Sequence, residues 1–181
     1  MRIEKIKKNY ESTELFLELF LEFPKKVQQL LLMPLVESGF FPQIFDDESI
    51  KSPIEQIFIT AFQLYCRDKK QIYLFSQKEV NVNSKKYYID FEFEADNYLS
   101  ELIFNHQIKN KKFKLAIECD GYEFHQKTKE QVQNDNEREF DLKMAGYEVL
   151  RFSGTQIYNN PFKCAEDTYN FITSRIKEGD N

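Results

Sequence analysis

The sequence predicts an α/β fold, a sheet flanked by helices, with a helical extension at the N-terminus. Apolar residues recur at three- and four-residue spacing in some segments and alternate in others. The two kinds follow one another as helix, strand, strand, strand, helix, strand, helix, an order best buried as a sheet between helices. The 181 residues fall within the size of one domain. With 41% hydrophobic residues and 18 Phe they can fill a core, whereas 5 Gly and 5 Pro exclude collagen-like and low-complexity chains.

Residues 1–48 read as the helical extension, in two or more helices with Pro24, Pro34 and Pro42 as breakers. Its most apolar run, Leu15–Phe23, is too short to span a membrane, and Glu14, Glu18 and Glu22 share one helical face, so packing on protein is expected and a secretory leader is not. Asp46-Asp47-Glu48-Ser49 is a polar break before a main domain over 49–181. Ser52-Pro53-Ile54-Glu55 has the pattern of a capping box with Pro at the first helical position. The helix it opens carries Ile54, Ile57, Phe58, Ala61, Phe62 and Tyr65 at helical spacing and ends near Cys66. A turn at 67–70 leads into a strand over Ile72–Val80, a second turn at Asn81–Lys86 and a strand over Tyr87–Glu94. In that last strand Ile89, Phe91 and Phe93 are expected to point one way, and Asp90, Glu92 and Glu94 the other. Residues 96–112 are ambiguous, with Tyr98–Phe104 reading as a short helix or a strand. Lys114–Asp120 is a strand closed by Gly121, Thr128–Ala145 a polar helix stopped by Gly146, Tyr147–Phe152 a strand and Pro161–Lys177 a final helix.

Three widely spaced cysteines, Cys66, Cys119 and Cys164, make neither a disulfide framework nor a structural zinc site, and a reducing, cytoplasmic setting is expected. A net charge of −5 excludes a coat protein that binds nucleic acid by bulk charge, but not an enzyme whose site is itself acidic. Residues 66–115 nonetheless hold ten Lys or Arg against seven Asp or Glu. Those lysines, Lys109, Lys111 and Lys112 among them, are either solvated loop residues or a patch that faces phosphate.

The chemistry-bearing residues cluster in a few short segments. Ile117-Glu118-Cys119-Asp120-Gly121 ends an apolar strand with two acids on one face. Either the sheet stops there and both acids meet water, or they share a cation or a proton. Asp90, on a neighbouring strand, is placed to reach the same point, and oxygen ligands of this kind suit Mg²⁺ or Mn²⁺ rather than Zn²⁺. His125 follows past the Gly121 turn, as an ordinary loop histidine or as a base acting on water. Glu55 either completes its capping box or points into the cleft beside Asp90. On the polar helix Asp135, Arg138 and Leu142 share one face, so Arg138 makes a surface ion pair or lays its fork on the acids or a phosphate. Arg151, in the apolar strand Val149-Leu150-Arg151-Phe152, either faces solvent or anchors the acids or a phosphate.

Taken together in this order, Glu55, Tyr88-Ile89-Asp90-Phe91, Leu115–Gly121 with His125, Asp135, Arg138 and Gly146–Phe152 resemble the Vsr-like branch of the PD-(D/E)XK nuclease superfamily, over roughly residues 52–173. The resemblance implies a restriction-endonuclease-like mixed sheet and a metal-dependent endonuclease acting on nucleic acid, DNA ahead of RNA, with Mg²⁺ or alternatively Mn²⁺. It implies Asp90 as central metal ligand, Glu118 as the second acid and the main-chain carbonyl of Cys119 as the third ligand. Asp120 stands where the superfamily has Lys, and His125 takes the place beside the attacking water, with Lys127 or Lys129 as substitutes. Lys109, Lys111, Lys112 and Lys127 would position the nucleic-acid backbone, and Arg138 and Arg151 would anchor phosphate or the acids. The missing Lys leaves a second reading open, a catalytically impaired module of the same fold that binds nucleic acid or a protein partner. The N-terminal helices, outside the resemblance, either pack on the core or serve a homodimer or another protein; no membrane association is expected.

Overall fold

The computed structural model describes residues 19–20, 22–37, 50, 52–67, 69, 72–95, 113–121 and 128–177. Its elements are α1 (Lys25–Glu37), α2 (Pro53–Cys66), β1 (Phe75–Val82), β2 (Lys85–Glu94), β3 (Lys114–Asp120), α3 (Lys129–Met144), β4 (Tyr147–Ser153), α4 (Gly154–Asn159) and α5 (Pro161–Lys177). The strands form one mixed sheet in the order β1-β2-β3-β4, with β1–β2 and β2–β3 antiparallel and β3–β4 parallel. A parallel pair needs a crossover, and α3 supplies it.

Each face of the sheet has its own core. On one, α2 and α5 cover a cluster built on Phe58, Phe62, Phe91, Phe93, Leu115, Ile117, Phe152 and Ile172. Phe58 lies at its centre, with ring centroids 5.4 Å from Phe91 and 5.8 Å from Phe152. Phe20, and Leu32 and Val36 of α1, belong to the same cluster. On the other face α3 covers a smaller cluster of Ile89, Ala116, Leu142 and Tyr147. Only Asp141 and Leu142 of α3 are buried, in keeping with its polar sequence. No helix among the described residues is long and apolar enough to cross a membrane.

The regular alternation expected along β2 breaks at Asp90. Phe91 and Phe93 enter the main cluster, but Ile89 enters the opposite one. Glu92 is buried on the Ile89 side, where it accepts a hydrogen bond from the Tyr147 hydroxyl at 2.5 Å and pairs with Lys78 at 3.3 Å. Strand β1 shifts in step. Ser76 pairs with Phe91 and Lys78 with Ile89, while Gln77, opposite Asp90, adopts a positive φ of 49°. Each strand thus absorbs one out-of-phase residue at the same level, and the register is preserved across it.

Other departures are local. The hairpin turn is only Asn83-Ser84, both at positive φ (50° and 63°), the signature of a two-residue turn whose twist matches the flanking strands. The chain 81–86 is therefore mostly strand. Strand β1 begins at Phe75 rather than Ile72, and α1 runs through Pro34 instead of ending there. Pro34 and Leu30, whose carbonyl loses its donor, are both exposed, so water can replace the missing bond. Helix α4 was not expected; Ser153 and Gln156 form a complete capping box that stabilises this single short helix.

Ser84 is an L-residue held in a left-handed conformation that costs roughly 1–2 kcal/mol, offset in part by the extra unfolded-state freedom of glycine. Ser84→Gly is expected to raise stability by about 0.5–1 kcal/mol, read from urea unfolding midpoints at unchanged m-value.

Candidate active site

The phase break places Asp90 where β2 parts from β3. The β2–β3 residue pairs run from Glu94↔Lys114 to Phe91↔Ile117. Beyond them the Cys119 main-chain N–H donates to Asp90 Oδ2 at 2.8 Å, so a side-chain oxygen takes the place of a strand carbonyl. Burial pushes the Asp90 carboxyl upward, against that hydrogen bond and the positive charge of Arg138.

Glu118, next along β3, is 2% exposed. Arg138 reaches it from α3, with Nη2 at 2.9 Å from Oε1 and 2.8 Å from Oε2. The same nitrogen donates to the Tyr88 carbonyl. Even so, burial dominates, and with the nearby Asp90 charge it moves the Glu118 carboxyl up to about 7. The parallel register sets Glu118 beside Arg151, and Arg151 Nη1 lies 3.3 Å from Asp120 Oδ2. The Nε atoms of Arg138 and Arg151 are buried and have no hydrogen-bond partner among the described residues, so each guanidinium keeps a donor that a further acceptor would satisfy.

Glu55 completes the group from α2. The expected capping box does not form, since the Ser52 side chain makes no cap hydrogen bond. Glu55 instead accepts from Gln77 Nε2 at 2.9 Å. Burial and the Asp90 charge push its carboxyl up to about 7, against hydrogen bonds from Gln77 and Ser52. Close approach of α2 to the end of β3 depends on Gly154. A Cβ there would lie 3.1 Å from Ile54 Cδ1 and 3.2 Å from the Asp120 carbonyl oxygen, so that these neighbours would have to give by a few tenths of an ångström.

The structure therefore gathers Glu55, Asp90, Glu118, Asp120, Arg138 and Arg151. The Cys119 side chain packs on the main cluster, on the opposite face of β3 from Ala116 and Glu118; burial and the acids around it raise its thiol well above the ordinary range. His125, Lys109, Lys111, Lys112 and Lys127 lie outside the described residues. The sequence reading missed Gln77. Its residue type carries no signal, and its place opposite Asp90 follows only once the turn is assigned to Asn83-Ser84, which fixes the pairing of the two strands.

Among the described residues no group of three or more His, Cys, Asp or Glu side chains is arranged to hold an ion. Two carboxylates and one carbonyl, the set implied for Asp90, Glu118 and Cys119, would not form such a group. The fit is electrostatic. Four carboxylates (Glu55, Asp90, Glu118 and Asp120) face two guanidiniums, and burial drives Glu55 and Glu118 towards taking up protons. Such a site lacks positive charge, and a hard, oxygen-seeking divalent ion would supply it.

A family model, REase_MTES_1575, matches residues 77–172. That segment spans more than half of the chain and includes Gln77, Asp90, Glu118, Cys119, Asp120, Arg138 and Arg151, but not Glu55. No curated protein and no solved structure gives a significant match.

A carboxyl with a raised folded-state pKa stabilises the fold below its unfolded value of about 4.5 and loses that contribution as pH rises through about 7. In chelator, the melting temperature of the wild type is expected to carry a downward component between about pH 5 and pH 8. Glu55→Gln should flatten that slope in thermal melts across the range, and an unchanged slope would contradict the assignment.

Proposed function

The chain belongs to the REase_MTES_1575 family, a restriction endonuclease-like family, and we propose that it is a metal-dependent endonuclease hydrolysing phosphodiester bonds in DNA ahead of RNA, of the Vsr-like kind. The observation that carries this reading is the surplus of carboxylate around Asp90, four acids (Glu55, Asp90, Glu118 and Asp120) against the guanidiniums of Arg138 and Arg151. Asp90, Glu118 and the Cys119 carbonyl would hold Mg²⁺ or Mn²⁺. Bound there, the ion supplies charge neutralisation at the scissile phosphate and lowers the pKa of a water.

The chain's own residues do the rest. Arg138 and Arg151 hold Glu118 and Asp120 in place and would set positive charge beside a bound phosphate. His125 is the residue the Vsr-like resemblance assigns to proton transfer from water. Glu55, pushed up to about 7, is a second acceptor whose proton affinity suits the task near neutral pH. Lys109, Lys111, Lys112 and Lys127 would steer and position the nucleic-acid backbone, so binding should weaken with salt.

One observation favours the alternative of a module that binds without cutting. Arg138 already grips Glu118, a cation in the place where a metal would act. Cleavage assays with Mg²⁺ and Mn²⁺ on duplex DNA, single-stranded DNA and RNA separate the two readings. The nuclease reading expects divalent-dependent cleavage that falls about 10²–10³-fold or more in Asp90→Asn and in Glu118→Gln, with folding intact by thermal melt. Full activity in both variants would sink it, and divalent-independent binding without cleavage would favour the module.

A further inference from the structure

We infer that Gln77 is a positioning residue of this site, setting both Glu55 and Asp90, an inference that rests on the nuclease reading above. Gln77 holds a φ of 49° inside β1, a conformation that glycine adopts freely and asparagine tolerates. Glutamine has no backbone preference for it, so the reason for the residue lies in its side chain. That side chain crosses from β1 to α2, where its carboxamide donates to Glu55 Oε2 at 2.9 Å.

The backbone and the side chain act on different acids. Pairs Ser76↔Phe91 and Lys78↔Ile89 flank the Gln77/Asp90 level. The register survives there because both strands take up one out-of-phase residue together. A regular β1 would demand a regular β2, and Asp90 would then follow the ordinary alternation instead of meeting the Cys119 N–H at 2.8 Å. The carboxamide meanwhile fixes a carboxylate on a helix, a longer and freer support than a strand. Gln77 thus ties two acids from two elements into one arrangement without itself reaching the reacting atoms.

Two substitutions test the side-chain role while leaving the left-handed backbone in place. Gln77→Gly keeps the left-handed backbone and removes the carboxamide; Gln77→Asn keeps an amide that is one methylene too short to reach Glu55. Both are expected to melt no earlier than wild type. Calorimetry with Mn²⁺ on the full chain should show binding weakened about tenfold, and cleavage of duplex DNA should show kcat reduced about 10–100-fold with KM little changed. In a Glu55→Gln background, adding Gln77→Gly should cause no further loss, because the amide acts through Glu55. Wild-type Mn²⁺ affinity and kcat in Gln77→Gly would overturn the inference, as would a full additional loss on top of Glu55→Gln. A wild type that neither binds Mn²⁺ nor cleaves would fail the nuclease reading first and the inference with it.

Discussion

One hydrogen bond organises this molecule, the donation of the Cys119 main-chain N–H to the Asp90 carboxylate at 2.8 Å. It sits where β2 leaves β3, and a backbone donor there has to find an acceptor or lose roughly 1–3 kcal/mol. By supplying that acceptor from a side chain, Asp90 both ends the ladder and is held at its end. The phase break that frees Asp90 for this is matched in β1 by Gln77, and it sends Ile89 and Phe91 to opposite cores. Fold and site are therefore set by the same two residues. The sheet could regularise its alternation only by giving up the geometry around Asp90.

Charge balance follows from that placement. Asp90 stands within electrostatic reach of Glu55, Glu118 and Asp120. Arg138, from helix α3, and Arg151, from strand β4 of the sheet itself, offset part of the repulsion. The offset is incomplete, because burial lifts Glu118 to about 7 even with a guanidinium nitrogen 2.8 Å away. If stability alone had shaped this region, apolar residues would serve as well or better, since buried ion pairs rarely repay their desolvation. Retaining charges at such a position is intelligible as preparation for a cationic partner.

Much of this was legible in the sequence, for identifiable reasons. Helix α2, strand β3 and helix α5 have clear periodicity, and the polar helix α3 has a clear stop at Gly146, so that their bounds lie close to those read from the residues. Glu118 and Asp120 share a face because period two holds along a short, regular strand. Where the reading failed, a non-local interaction had overridden a local rule. The alternation of β2 was read as uniform because nothing in Ile89-Asp90-Phe91 reveals a phase break that depends on β1. Glu55 carries a strong local capping pattern, yet its carboxylate turns to Gln77 on another element. Short helix α4 escaped notice although Ser153 and Gln156 have the capping-box spacing, because six residues leave too little periodicity to detect.

The extent of the family match bears on what makes a working unit. Residues 77–172 hold every site residue named here except Glu55, but they cannot bury their own core. Phe91 and Phe152 pack on Phe58 of α2, which precedes the matched segment, and Ile176 of α5, which follows it, is buried in the same cluster. Removing α2 would expose the aromatic face of the sheet along with the loss of Glu55. The helix that brings the fourth carboxylate is thus the one that closes the main core. Gly154 leaves room for the Ile54 side chain of that helix, whose Cδ1 would lie 3.1 Å from a Cβ placed there. Packing in the core and proton affinity in the site are coupled through α2, which carries both Phe58 and Glu55. A change that loosened α2 would let water reach Glu55 and lower its carboxyl towards the ordinary range, leaving it ionised at neutral pH and a poorer proton acceptor there.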